Sequence, residues 1–140
     1  VQQGLKSRDV ERLEQNLHIW KKVSKQSELN HAMQQAHEMN LPIVIDVYAN
    51  WCAACQPLKK DVFPRADVQQ ALKDFYLIEL DLSNYHESQD LILKEHEILG
   101  PPTILFFDPS GHEMRQLRLT GTFKANQLIQ HLQRVKAMKK

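Results

Sequence analysis

Residues 43–55 read IVIDVYANWCAAC, and the fold is decided in this stretch. Ile43, Val44, Ile45, Val47 and Tyr48 form a short, nearly continuous apolar run in which β-branched side chains dominate. Such a run suits a central strand covered on both faces, because a half-solvated strand would alternate with polar residues. Asp46 interrupts it. An acid is costly to bury there, so its pKa is expected to rise. Ala49, Asn50 and Trp51 lead off the strand end, and the pattern predicts a helix from about Cys52 to Lys60. Pro57 sits awkwardly in that helix: its missing N–H matters little in a first turn but bends a longer helix.

Cys52 and Cys55 are the only cysteines in the chain. At the start of a helix, free backbone N–H groups and the aligned peptide dipoles favour an anion. A cysteine placed there has a lowered pKa and more thiolate at neutral pH. Cys52 is therefore read as an exposed nucleophile, and Cys55, one turn on and deeper, as the resolving thiol. The exchange chemistry follows: Cys52 attacks a partner disulfide, Cys55 attacks the mixed disulfide, and a Cys52–Cys55 disulfide remains. Asp46, six residues before Cys52, is the candidate proton acceptor for Cys55. Trp51 either shields the thiolate and meets partners or packs in the core. The competing reading is a pair of core cysteines or half of a metal site. A zinc site needs two further ligands, and none of the seven histidines stands at a spacing that completes one. A haem attachment motif would place His after Cys55, where Gln56 stands.

Outward from this centre, strands and helices alternate. Ile19, Trp20 and Val23 mark a short strand over 18–23, and Ser24 is a candidate N-cap for a helix over about 25–39 carrying Leu29, Ala32, Met33 and Ala36. A second helical piece covers about 65–73. Phe75 to Leu82 reads as a strand with Ile78, Leu80 and Leu82 on one face and Glu79 and Asp81 on the other. A helix follows over about 88–97, then the break Leu99-Gly100-Pro101-Pro102, then the apolar strand Thr103 to Phe107. Asp108-Pro109-Ser110-Gly111 is a turn, Met114 to Thr120 its antiparallel return, and Ala125, Leu128, Ile129, Leu132 and Val135 give a last amphipathic helix. The order β-α-β-α-β-α-β-β-α implies an α/β fold with a largely parallel sheet covered on both faces and closed by a hairpin.

Composition sets the limits. The 140 residues suit one domain, here 17–140, with the polar stretch 1–16 as a linker or N-terminal extension. A net charge of +1 gives no concentrated positive field for nucleic acid. No apolar run reaches the roughly 18 residues of a membrane span. Two cysteines are too few for a disulfide framework to replace a core.

The run from Asp46 to Cys55 resembles the active-site strand and turn of the thioredoxin superfamily, and Gly100-Pro101-Pro102-Thr103 resembles its cis-proline loop, with Pro102 at the cis position. Within that superfamily, the chain is similar to the C-terminal periplasmic domain of DsbD-type thiol:disulfide interchange proteins, through the same run, Leu99 to Phe107, and Thr120-Gly121. The resemblance spans about residues 18–133. It implies a thioredoxin-like fold, with a central mixed sheet flanked by helices on both faces. It also implies a protein-disulfide reductase with no cofactor beyond the Cys52–Cys55 disulfide, supported by Trp51, Pro101, Pro102 and Thr103. It further implies a periplasmic domain of an inner-membrane protein, passing electrons from a membrane-embedded domain to an N-terminal periplasmic domain, with residues 1–16 as the tether. A free-standing reductase in cytochrome maturation and a non-catalytic CxxC metal-binding module are the alternatives. Two departures stand out. The resemblance places a Glu four residues after the second cysteine, where this chain has Lys59, which leaves Asp46 as the sole candidate acid; the other departure is Pro57.

Overall fold

β2 (Ile43–Tyr48) occupies the middle of a five-stranded sheet, as its doubly apolar composition requires. The structure, a computed structural model, describes residues 20–138. The expected extension over 1–16, the first residues of the strand expected at 18–23, and Lys139 and Lys140 lie outside them. In chain order the elements are β1 (Lys21–Val23), α1 (Gln26–Glu38), β2, α2 (Cys55–Pro57), a π-turn (Leu58–Val62), α3 (Ala66–Leu72) and β3 (Tyr76–Asp81). There follow α4 (Ser88–Glu95), β4 (Thr103–Phe107), a 3₁₀ turn (Arg115–Leu117), β5 (Leu119–Thr120) and α5 (Ala125–Met138). The sheet order is β1-β3-β2-β4-β5. β1 and β2 flank β3 in parallel, whereas β4 runs antiparallel to β2 and β5 antiparallel to β4. The sheet is thus mixed, with helices on both faces.

Strand alternation divides the core. Ile43, Ile45 and Val47 point to one side with Ile78, Leu80, Leu105 and Phe107, beneath Leu29, Ala32 and Ala36 of α1 and Ile92 of α4. Val44 points to the other side with Leu77, Ile104 and Phe106, beneath Leu58 and Val62 of the π-turn, Val68 and Leu72 of α3, and Leu128, Leu132 and Val135 of α5. Each fully buried aliphatic side chain contributes roughly 1.5–3 kcal/mol, so these two layers hold the sheet rigid beneath the cysteines.

Three local expectations are corrected. Ser24 is not the N-cap of α1; Lys25 holds that position. Ser24 instead donates its N–H and hydroxyl to the Glu28 carboxylate, which also accepts the N–H of Lys25. The acid three residues into the helix satisfies the free donors that a serine oxygen was expected to take. The return strand over 114–120 is also shorter than expected. An isolated bridge pairs Phe107 with Glu113, a 3₁₀ turn intervenes, and only Leu119–Thr120 pairs regularly. The third correction concerns the helix at the cysteines.

Candidate active site

No regular helix begins at Cys52. The chain leaves β2 through a turn in which Cys52 N–H donates to Ala49 O at 3.1 Å and Cys55 N–H to Cys52 O at 3.1 Å; α2 starts at Cys55. Pro57 is the third and last residue of α2, in a first turn whose N–H groups are free in any helix, so its ring is accommodated there. The chain resumes as a π-turn, with Phe63 N–H donating to Leu58 O, five residues back.

Cys52 and Cys55 are joined as a disulfide, Cα to Cα 5.3 Å. The backbone N–H of Cys55 donates to Cys52 Sγ at 3.2 Å. This amide replaces the longer helix terminus that the sequence led us to expect. A directed N–H stabilises sulfur anion character at position 52 and not at 55. Cys52 is less open than expected: 7% of its surface is exposed, against 3% for Cys55. The expectation of an exposed nucleophile is corrected to a nearly covered one, still the more accessible of the two.

Trp51 is 64% exposed, which removes its core-packing alternative and sets an indole at the surface next to Cys52. The CxxC turn is anchored to the end of β3: Asn50 N–H donates to Ser83 Oγ at 2.8 Å, and Ser83 in turn donates its N–H and hydroxyl to Asp81.

The Pro101–Pro102 peptide bond is cis, as the resemblance implied, with Pro102 buried and Pro101 half-buried. Thr103, 2% exposed, donates its hydroxyl to Gly100 O at 2.6 Å. Replacing Thr103 by Val keeps the shape and removes this donor. The expected cost is about 1–2 kcal/mol, read as a lower urea midpoint; an unchanged midpoint contradicts the bond's contribution. The loop has a second anchor that the sequence did not disclose. Arg118 grips Glu113 with two bonds of 2.8 and 2.7 Å and donates to His96 O at 2.6 Å and Glu97 O at 2.9 Å. These carbonyls lie where the chain, with Glu97 at φ 53°, turns from α4 toward Leu99 and the prolines. Arg118 and Glu97 are 21 residues apart, so no local signal pairs them.

Asp46 is 6% exposed and points to the side of Val44. Its pKa is pushed up to about 7, first by burial and then by the neighbouring Glu79 carboxylate, with Lys59 opposing. The expectation of a raised pKa is thus met, and a second buried acid stands beside it. Glu79 is 4% exposed and sits directly across from Asp46 in the β2–β3 register. Lys59 Nζ donates to Glu79 Oε1 at 3.1 Å and rests 3.9 Å above the Tyr48 ring. Partial burial works against the Lys59 cation, but its bond to Glu79 and the charges of Glu79, Tyr48 and Asp46 outweigh that and raise its pKa. Among the described residues no group of three or more His, Cys, Asp or Glu is placed to hold a metal ion. No helix among them is long and apolar enough to cross a membrane.

A parallel-then-antiparallel sheet, a CxxC disulfide at the end of its central strand and a cis-proline loop entering the adjacent strand define a thioredoxin-like domain. The model of the thioredoxin-like domain family matches residues 29–136, and the chain belongs to that family. Within it the similarity is to DsbD. The thiol:disulfide interchange protein DsbD of Klebsiella pneumoniae is 39% identical over 121 residues, covering 86% of this chain and 20% of that protein. DsbD of Actinobacillus pleuropneumoniae is 41% identical over 90 residues, 64% of this chain and 15% of that protein. The chain therefore spans about a fifth or less of the length of these curated relatives. The solved C-terminal domain of Neisseria meningitidis DsbD in the reduced form superposes with a TM-score of 0.68 at 26% identity, covering 79% of this chain and 96% of that one.

Proposed function

We propose that this domain is a protein-disulfide reductase that relays electrons by dithiol–disulfide exchange through Cys52 and Cys55. The observation that carries this reading is the Cys55 N–H directed at Cys52 Sγ, beside the cis-proline loop and an exposed Trp51. In the reduced domain the Cys52 thiolate attacks one sulfur of a partner disulfide. A Cys52–partner disulfide forms and the partner's other sulfur leaves as thiolate. Asp46 takes the proton of the Cys55 thiol. The Cys55 thiolate then attacks Cys52 Sγ, the bond from Cys52 to the partner breaks, and the partner's second thiolate leaves. Two electrons have passed to the partner, and the domain holds the Cys52–Cys55 disulfide. Pro101, Pro102 and Thr103 shape the ledge beside the disulfide on which the partner chain lies, and Trp51 covers the mixed disulfide from solvent.

The similarity to DsbD supports placing the domain in a larger relay. In this reading a membrane-embedded domain reduces the Cys52–Cys55 disulfide, an N-terminal domain of the same protein receives the electrons in the periplasm, and residues 1–16 are the tether. The test is trapping in cells that carry the full-length gene. Cys55→Ser is expected to accumulate Cys52 mixed disulfides whose masses name the partner. Adducts with Cys52→Ser and none with Cys55→Ser would reverse the assignment of the nucleophile.

A further inference from the structure

Glu79 is a buried acid that the exchange chemistry leaves unused. Nothing in the sequence marks it: on a strand that alternates, Glu79 and Asp81 look like one solvated face. In the structure that face is roofed by the π-turn and α3, and Glu79 is covered as fully as the aliphatic residues around it. Its register partner on β2 is Asp46. In-register neighbours on adjacent strands stand about 5 Å apart, so the two carboxyl groups share one low-dielectric site. One oxygen of Glu79 is bonded to Lys59. The other, Oε2, is buried without a hydrogen-bond partner among the described residues. Both acids border a cleft of about 180 Å³ whose other walls include Trp20, Lys59, Phe63 and Pro64. A volume of that size admits several waters, and Lys59, whose side chain is 43% exposed, carries its rim to solvent.

Among the described residues the charged groups acting on Asp46 are few, and the Cys55 thiol joins them in the reduced domain under the proposed exchange. β3 supplies Glu79, the π-turn supplies Lys59, and β2 itself supplies the Tyr48 ring beneath the ammonium. β4 contributes Ile104 in register, and α3 contributes the uncharged Gln69 to the cleft. Beyond burial, the largest influence, the balance at Asp46 is set by one anion and one cation locked to each other.

We propose that Glu79 is a positioning residue of the exchange reaction: clamped beside Asp46 by Lys59, it fixes the pH range over which Asp46 takes the proton of Cys55 and returns it to solvent through the cleft. This rests on Asp46 being the acceptor, as stated above. The proton travels from Cys55 Sγ to the Asp46 carboxylate and then to cleft water, while the electron pair left on Cys55 forms the bond to Cys52. Glu79 touches neither sulfur. Its carboxylate disfavours a second negative charge at Asp46, and Lys59 moderates that effect.

The test separates the two exchange steps with an aromatic disulfide, 5,5′-dithiobis(2-nitrobenzoate). Attack by Cys52 releases the first nitrothiobenzoate, and attack by Cys55 on the resulting adduct releases the second; stopped-flow absorbance resolves both. The second phase is followed from pH 5 to 9. The wild-type rate is expected to inflect with Asp46, and Asp46→Asn to flatten the profile. Glu79→Gln is expected to move the inflection down by about one pH unit, because a neighbouring like charge has gone. Lys59→Met is expected to move it up, and Glu79→Asp to restore it toward the wild type. A merely structural role would lower stability without these opposed shifts. A flat Asp46→Asn profile with the inflection unmoved in both Glu79→Gln and Lys59→Met overturns this inference alone. A wild-type inflection that persists in Asp46→Asn removes the acceptor itself, and the inference with it.

Discussion

Cys52→Ser is expected to lower the reduction of a protein disulfide by at least about 10³-fold, while Cys55→Ser loses turnover but keeps one stoichiometric attack. The asymmetry comes from the turn. Cys52 Sγ receives the Cys55 N–H at 3.2 Å, and its neighbour Trp51 stands 64% exposed at the surface. Cys55 is 3% exposed and starts α2. Only the first sulfur has both a stabilised anion and an approach for a partner. A serine at 52 ionises far too weakly at neutral pH to replace a thiolate, so no adduct forms and Cys55 has nothing to resolve. With serine at 55, the first attack proceeds and the mixed disulfide persists. The measurement is a dithiothreitol-recycled reduction of a protein disulfide, paired with mass spectrometry of single-turnover adducts. A stable adduct on Cys55 in Cys52→Ser, formed at a rate near that of wild type, would contradict the assignment.

Most of this arrangement could be read from residues that act locally. The β-branched run at 43–48 could only be a doubly covered strand, and it is the sheet's centre. CxxC spacing needs nothing beyond the turn that holds it. Asp46 was legible because a lone acid in an apolar run is conspicuous. What escaped was non-local or depended on how a segment meets the core. Glu79 looked like half of an ordinary alternation, since a sequence does not say what will cover a strand's second face. Lys59 lies 20 residues from Glu79, and Arg118 reaches carbonyls 21 and 22 residues back. The break at Pro57 was foreseen as a bend; its resolution into a π-turn depends on where Leu58 and Val62 find the core. The cis bond before Pro102 came from resemblance, because proline position alone does not select the isomer.

Asp46→Asn is expected to stabilise the oxidised domain by about 4 kcal/mol above pH 7 and to leave it almost unchanged near pH 4. The sign follows from proton binding. The Asp46 pKa rises from an ordinary 3.8 to about 7 in the folded domain, with burial as the largest cause. Between those values the folded state holds a proton that the unfolded chain has released, so stability falls as pH rises. Above pH 7 the folded domain carries a buried carboxylate and the full penalty; below about 4 both states are protonated and the penalty vanishes. Asparagine has the same shape and no charge to bury. For a domain of this size the gain at pH 8 corresponds to a melting temperature higher by on the order of 10 °C. Urea unfolding of both proteins at pH 4 and pH 8 checks it: equal differences at the two pH values would show that Asp46 is not a strained acid. The same substitution should slow the Cys55 step by roughly 10²-fold or more, since a positioned acceptor contributes at that scale. A side chain whose loss strengthens the fold while weakening the reaction is one that the fold does not need. The covered surroundings of Asp46, costly to an anion, make it a proton acceptor that works near neutral pH.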